Sequence, residues 1–202
     1  PLALQAMLFP IANTIVQAGV NTMGTDQIAA WGICDKLNML IWLLSDSMGP
    51  ALTTFTAQNL GAKYKERIRK GVFIGTSMSA GAVIMVSIIL FVGAAFMTPW
   101  FVSAQDAVTL APLVGTYARM MAPFFLFYAI AEALSGACCG TGDTIKPMIT
   151  TLVSICLLRV IGVLFILPMY ETMECIVVIY IASWIAAGMA FLGLWKWNSS
   201  KL

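Results

Sequence analysis

Residues 61–97 read GAKYKERIRKGVFIGTSMSAGAVIMVSIILFVGAAFM, a cationic cluster running into a stretch that carries no charge from Gly71 to Met97. An α-helix rises about 1.5 Å per residue, so roughly 20 apolar residues cross a hydrocarbon core about 30 Å thick. The stretch is long enough to span a bilayer. Runs such as Ala80 to Phe96 are apolar at nearly every position, without the alternation that a transmembrane β-strand of about 10 residues requires. Working outward, five further apolar stretches appear in the 202 residues, of which 60% are hydrophobic and 10% charged, with a mean hydropathy of +0.92. A soluble domain does not use so much apolar surface.

The expected fold is therefore an all-α integral membrane protein, a bundle of six transmembrane helices at about 2–20, 27–57, 71–98, 107–137, 147–168 and 175–197. The second and fourth stretches exceed one crossing, so they tilt, kink or continue along the interface. The first lacks a basic n-region and a small-residue cleavage site, so it reads as a helix and not a signal peptide, with further chain expected before Pro1.

Charge fixes an orientation. Lys63, Lys65, Arg67, Arg69 and Lys70 crowd the second loop, Lys146 lies in the fourth, and Lys196 and Lys201 follow the last span. The first, third and fifth loops hold only acids: Asp26, Asp106, Glu171 and Glu174. Cations mark the cytoplasmic side, so both ends are expected there, in a multi-pass protein of the cell's inner (plasma) membrane with the lipid bilayer as its first partner. A short basic loop between apolar helices is a topology determinant, and nucleic acid is not an expected partner. Trp100 with Phe101, and Trp195 with Trp197, fit interfacial belts, whereas Trp31, Trp42 and Trp184 lie deeper.

Chemistry is limited by what is missing. There is no His, and Cys34, Cys138, Cys139, Cys156 and Cys175 form no CxxC pair, so no metal site and no enzyme is expected. Cys138 and Cys139 read as small residues at a tight cytoplasmic turn. Pro10, Pro50 and Pro123 interrupt spans one, two and four, either as static kinks or as bending points near a transport path. Gly71, Gly75 and Ser79 form a small-residue stripe suited to close helix packing.

Ionisable groups inside spans are the candidate functional residues, because each costs about 2.5–3.5 kcal/mol at a helix centre unless it meets water or a partner. Asp35 and Asp46 are three turns apart on one face of span two, with Lys36 beside the first, and Ser45, Ser47 and Gly49 suggest a polar setting for the second. Arg119 and Arg159 sit about 18 Å from their span ends, near mid-membrane, each suited to an ion pair with one of those carboxylates or to a gating role on a substrate path. Lys36 and Arg159 are expected to act as structural charges. Glu132 lies about 8 Å from the inner end of its span, as an interfacial carboxylate or a proton-coupling one. Asn13 and Gln17 share a face of span one, lining a cavity or bonding the next helix. Met39, Met48, Met120 and Met121 would suit an adaptable pocket for apolar cations, or serve as core and lipid-facing filler.

Asp26-Gln-Ile-Ala-Ala-Trp31, Gln58-Asn-Leu-Gly-Ala62, Tyr117-Ala-Arg119 and Gly140-Thr-Gly-Asp-Thr-Ile-Lys-Pro147, in this order and spacing, resemble the C-terminal lobe of MATE (multidrug and toxic compound extrusion) transporters across nearly the whole chain. Cys156-Leu-Leu-Arg159 with Pro168 resembles variants from anaerobic Gram-positive bacteria. The resemblance implies one lobe of a twelve-helix transporter whose N-terminal lobe is the missing partner. It further implies export of small amphipathic cationic substrates in exchange for Na+ or H+, with no other cofactor, as the lobes rock between outward-open and inward-open states. One branch of the family pairs a carboxylate in the first helix of this lobe with an Asp in the fourth. Here the first span has no acid and the fourth offers only Glu132, and a second branch uses an acid of the N-terminal lobe instead. Two rivals are a lipid-linked or polysaccharide flippase, which needs more cations in its cavity, and a non-transporting membrane scaffold.

Overall fold

The long apolar stretches fold as helices because hydrocarbon offers no partner for a backbone N–H or C=O, so each span must satisfy its own. The computed structural model describes the backbone of residues 2–201 and the side chains of residues 7–201. In order come α1 (Leu2–Val20), α2 (Thr25–Gly61), α3 (Lys65–Met97), α4 (Ala104–Met121), α5 (Phe125–Gly140), α6 (Ile145–Thr151), α7 (Leu158–Ile161), α8 (Leu167–Tyr170) and α9 (Met173–Lys201). Single turns of 3-10 helix extend α3 over Thr98–Trp100 and join α4 to α5 over Ala122–Phe124. Wider π-helical turns, Leu152–Leu157 and Gly162–Ile166, join α6 to α7 and α7 to α8.

Among the described residues five of the resulting helical rods are long and apolar enough to cross a membrane: Thr25–Gly61, Lys65–Trp100, Ala104–Gly140, Ile145–Tyr170 and Met173–Lys201. The apolar helix Met7–Val20, within α1, is shorter and packs beside them. Each of these five rods runs a few residues beyond the corresponding apolar stretch of the sequence.

Two local expectations are corrected. The basic loop is mostly helix: Lys65, Arg67, Arg69 and Lys70 form the first turns of α3, with Glu66 near its start, and only Ala62–Tyr64 remain between helices. Lys and Arg are good helix formers, and exposure to water screens their mutual repulsion. Cys138 and Cys139 belong to the last turn of α5 and not to a loop, with Cys138 buried; the turn falls on Thr141 and Gly142, where Gly142 takes φ 91°. Pro50 is accommodated within continuous α2, while Pro123 coincides with the 3-10 turn between α4 and α5. A 3-10 turn at proline is a local answer to the missing N–H.

At the third loop, Ser103 caps α4: its Oγ accepts from the Asp106 N–H, and its hydroxyl donates to the Asp106 carboxylate at 2.6 Å. At the other end of the bundle, Lys146 donates to Asp143, and this neighbour holds the Asp143 carboxyl below its usual range.

α5 is the central helix, packed against α2 on one side and α9 on the other. Approach is closest where side chains vanish. A β-carbon on Gly136 would stand 2.1 Å from the Gly49 carbonyl oxygen, and one on Gly140 would stand 2.6 Å from the Thr53 carbonyl oxygen. Thr53 donates its hydroxyl toward both the Gly49 and Gly136 carbonyls at 2.9 Å, stitching the two backbones together. The stripe on α3 behaves as expected: a β-carbon on Gly71 would lie 2.3 Å from the Phe55 ring and one on Gly75 2.7 Å from Leu52, both on α2. Trp184, Tyr117, Phe125 and Phe191 are the largest fully buried side chains.

Because the obstacle at Gly136 is backbone, Gly136→Ala is expected to force α2 and α5 apart and cost about 1–3 kcal/mol. At Gly32, where a β-carbon meets nothing within 4 Å, Gly32→Ala is expected to leave stability within about 0.5 kcal/mol. Thermal melting of the purified full-length variants, followed by size-exclusion chromatography after heating, checks both.

Candidate functional site

A cleft of about 280 Å³ opens between α1 and α2 and is lined by Phe9, Asn13, Gln17, Trp31, Asp35, Trp42, Asp46, Tyr128, Arg159, Tyr180 and Trp184. On α2, spacings of four, seven and four residues bring Trp31, Asp35, Trp42 and Asp46 onto one face, so two carboxylates alternate with two indoles. The opposite wall is aromatic. Tyr180 stands edge-on to Trp31 with ring centroids 5.3 Å apart and to Trp184 at 5.8 Å, and Tyr128 lies 6.2 Å from Trp184. Phe125 backs the cluster, 4.7 Å from the Trp184 ring.

Asp46 accepts a hydrogen bond from the Tyr128 hydroxyl at 2.8 Å. Its side chain is otherwise open to the cleft, but not because of its neighbours. Ser45 and Ser47 donate to carbonyls of their own helix, Ile41 and Leu44, and Gly49 packs on α5, so the accessible setting of Asp46 comes from the cleft itself. Asp35 lies further along the same wall and is half-buried. Its neighbour Lys36 turns out of the cleft, with its ammonium 5.8 Å from the Phe101 ring. Adjacent helical residues point about 100° apart, which separates the two charges.

Arg159 is only 4% exposed. Its Nε donates to Ser183 Oγ at 3.0 Å, a second nitrogen donates to Asn13 Oδ1 at 3.3 Å, and the guanidinium lies over the Tyr180 ring at 4.0 Å. The expected pairing of Arg159 or Arg119 with a carboxylate is thus corrected: among the described residues the one ion pair is that of Lys146 with Asp143. Neutral oxygens and a ring face take the place of a counter-ion. Arg159 sits in the short α7, between the two π-helical turns, a backbone form that recurs at functional positions.

Other candidates lie elsewhere. Arg119 is exposed on the outside of the bundle, its Nε directed at the Phe91 carbonyl of α3 at 3.4 Å, so it does not line the cleft. Glu132 is one turn beyond Tyr128 on α5, half-buried and near enough to Asp46 for their charges to interact, yet outside the cleft lining. Asn13 and Gln17 both face the cleft: Asn13 holds Arg159, and Gln17 donates to Asn21 at 3.0 Å. None of Met39, Met48, Met120 and Met121 lines it; Met39 is exposed and Met121 is buried in the core.

Sequence reasoning does not reach Tyr128 and Tyr180, and it marks Trp31, Trp42 and Trp184 only as lying deep in their spans, not as site residues. A signal exists, since Tyr180, Ser183 and Trp184 recur at three- and four-residue spacing on α9, and Tyr128 precedes Glu132 by one turn.

A sequence family described as MatE matches residues 1–165. The chain belongs to the MatE family. MatE proteins are all-helical membrane transporters, in keeping with the multi-pass helical bundle seen here. Two relatives come from Bacillus subtilis (strain 168). The probable multidrug resistance protein YpnP is 22% identical over 159 residues, which cover 79% of this chain and 35% of that protein. The probable multidrug resistance protein YoeA is 22% identical over 178 residues, covering 86% of this chain and 37% of that protein. This MatE chain therefore spans little more than a third of the length of the curated relatives it matches.

Each hydrogen bond from a charged group contributes about 1.5–3 kcal/mol, so Arg159→Leu is expected to lower the yield of folded protein more than it alters substrate choice. Arg159→Lys, which keeps the charge but not the planar fork, is expected to fall between Arg159→Leu and the native protein. Yields of monodisperse full-length protein, set beside the substrate profile, check this; normal folding with altered specificity contradicts it.

Proposed function

We propose that this chain is the C-terminal lobe of a secondary active antiporter that exports small amphipathic cations in exchange for Na+ or H+ by alternating access. The observation that carries this reading is the cleft, where Asp35 and Asp46 stand among the rings of Trp31, Trp42, Tyr128, Tyr180 and Trp184. Ring faces attract cations by about 0.5–2 kcal/mol each, more as water is excluded, and a carboxylate adds charge without fixing the shape of the ligand. Such a surface suits ligands that share a positive charge and flat apolar groups and little else.

At about 280 Å³ the cleft is smaller than the roughly 300–1,000 Å³ of a drug-sized site, as expected of one wall of a cavity completed by an N-terminal lobe. Asp46 is the first candidate for coupling. Its hydrogen bond from Tyr128 uses one carboxylate oxygen and weakens when a proton or Na+ neutralises the group, which would link ion occupancy to the contact between α2 and α5. Glu132, one turn further on, is the second. The two relatives are named as probable multidrug resistance proteins, which supports the reading. In this reading the protein sits in the plasma membrane, and the charge asymmetry supports an orientation with the Lys- and Arg-rich end in the cytoplasm. The flippase alternative finds less support, since among the described residues Arg159 is the one cation lining the cleft, and two of its donors already serve Ser183 and Asn13.

Ethidium efflux from cells carrying the full-length gene, with sodium and proton gradients collapsed in turn, is expected to fail under one of the two treatments. Efflux that survives both, or that never occurs in cells with confirmed membrane expression, refutes antiport. In the same assay Asp46→Asn and Glu132→Gln are expected to differ, the coupling carboxylate being the one whose loss abolishes exchange at normal expression. Wild-type efflux from both variants removes the two residues from the mechanism.

A further inference from the structure

The small-residue stripe of α3 does more than pack. Beside it, a groove of about 660 Å³ runs along α2 and α3, lined by Leu52, Phe55, Ile74 and Met78 and, toward the cationic end, by Glu66, Arg67 and Lys70. Arg67, Lys70, Ile74 and Met78 follow one another at three- and four-residue spacing, so a single face of α3 changes from cationic to apolar within three turns. Glycine at 71 and 75 lets Phe55 and Leu52 of α2 pack directly onto the α3 backbone, and these two side chains form the apolar floor of the groove.

The cluster of cations does not act as one. Arg69 turns the other way, donating to the Ser199 carbonyl at the end of α9 at 3.2 and 2.7 Å. Arg67 and Lys70 are exposed at the groove and make no ion pair among the described residues, with Glu66 the one acid beside five cations between residues 63 and 70. Among the described spans this helix is also the most exposed: 22% of its apolar stretch is buried within the chain, against 33% or more in the other four. Phe73, Ile74, Met78 and Met85 are each more than half exposed.

We propose that this groove binds an anionic phospholipid of the leaflet at the cationic end, with Arg67 and Lys70 on the headgroup phosphate and an acyl chain lying along Ile74 and Met78. The occupant follows from the gradient along α3: a ligand that is anionic at the interface and a long hydrocarbon below it has the same two halves in the same order. Juxtamembrane cations attract acidic lipid strongly, and basic pockets between transmembrane helices are where a headgroup becomes specific. The site is separate from the aromatic cleft and shares no residue with it.

The test is native mass spectrometry of the full-length protein, purified in detergent and titrated with phosphatidylglycerol or phosphatidylcholine of matched chains. The native protein is expected to retain phosphatidylglycerol in preference. Arg67→Gln with Lys70→Gln, both exposed positions, is expected to reduce that preference about tenfold or more, since each cation near the surface contributes on the order of a factor of five. Lys63→Gln with Lys65→Gln, outside the groove, is expected to leave most of it. An equal loss in both double variants, or no preference in the native protein, overturns the proposal in favour of diffuse attraction or none. Photo-crosslinking from p-benzoylphenylalanine placed at Met78 supplies the second measurement. Adducts to lipid in phosphatidylglycerol vesicles support the site, and adducts to another helix of the same polypeptide overturn it by showing that protein covers the groove.

Discussion

Gly49 of α2 and Gly136 of α5 meet backbone to backbone, with Thr53 donating to the carbonyls of both, and the arrangement of the bundle follows from that contact. Within a bilayer the lipid tails are as apolar as the helix faces, so helices associate through close van der Waals contact and interhelical hydrogen bonds. Glycine permits the first and threonine supplies the second. Near this junction Asp46 and Tyr128 face one another at hydrogen-bonding distance, so the tightest part of the packing also sets one edge of the cleft.

The other edge depends on Arg159. A guanidinium at this depth costs several kcal/mol unless its donors are used, and here serine, asparagine and a tyrosine ring use them without cancelling its charge. Arg159 thereby ties α7 to α1 and α9, while the π-helical turns on either side of it interrupt the regular backbone of this span. The cleft faces two carboxylates and one held guanidinium, an electrostatic balance that leaves room for a positively charged ligand without leaving the acids wholly unopposed.

At the cationic end the charges serve several purposes. Arg69 fastens the start of α3 to the end of α9, Lys146 joins Asp143, and Lys146 and Lys201 both approach the Trp197 ring, at 4.4 and 3.2 Å. Lys and Arg side chains near an interface carry long apolar stems, so they can pack while the charge stays wet. Arg67 and Lys70 stand apart, on the side of α3 that meets the groove.

Much of this was legible without coordinates. Apolar runs bounded by charge gave the helical spans and their alternation, because hydrocarbon selects on length and composition, which are local properties. The α3 stripe and the shared face of Asp35 and Asp46 followed from helical period alone. Partners were not legible. Arg119 and Arg159 look alike in sequence, each a cation near mid-span, yet one lies outside the bundle and the other beneath the cleft, since the rotation of a helix about its axis is decided by its neighbours. Expecting an ion pair for Arg159 failed for the same reason: Asn13, at the other end of the chain, and Tyr180 and Ser183, on the following span, meet it in place of a carboxylate. Sequence by itself determined that this chain is a bundle of membrane helices with one cationic end. Only the tertiary structure decided which polar groups face one another, because that depends on close packing between glycines far apart in the chain, and helical period carries no information about it.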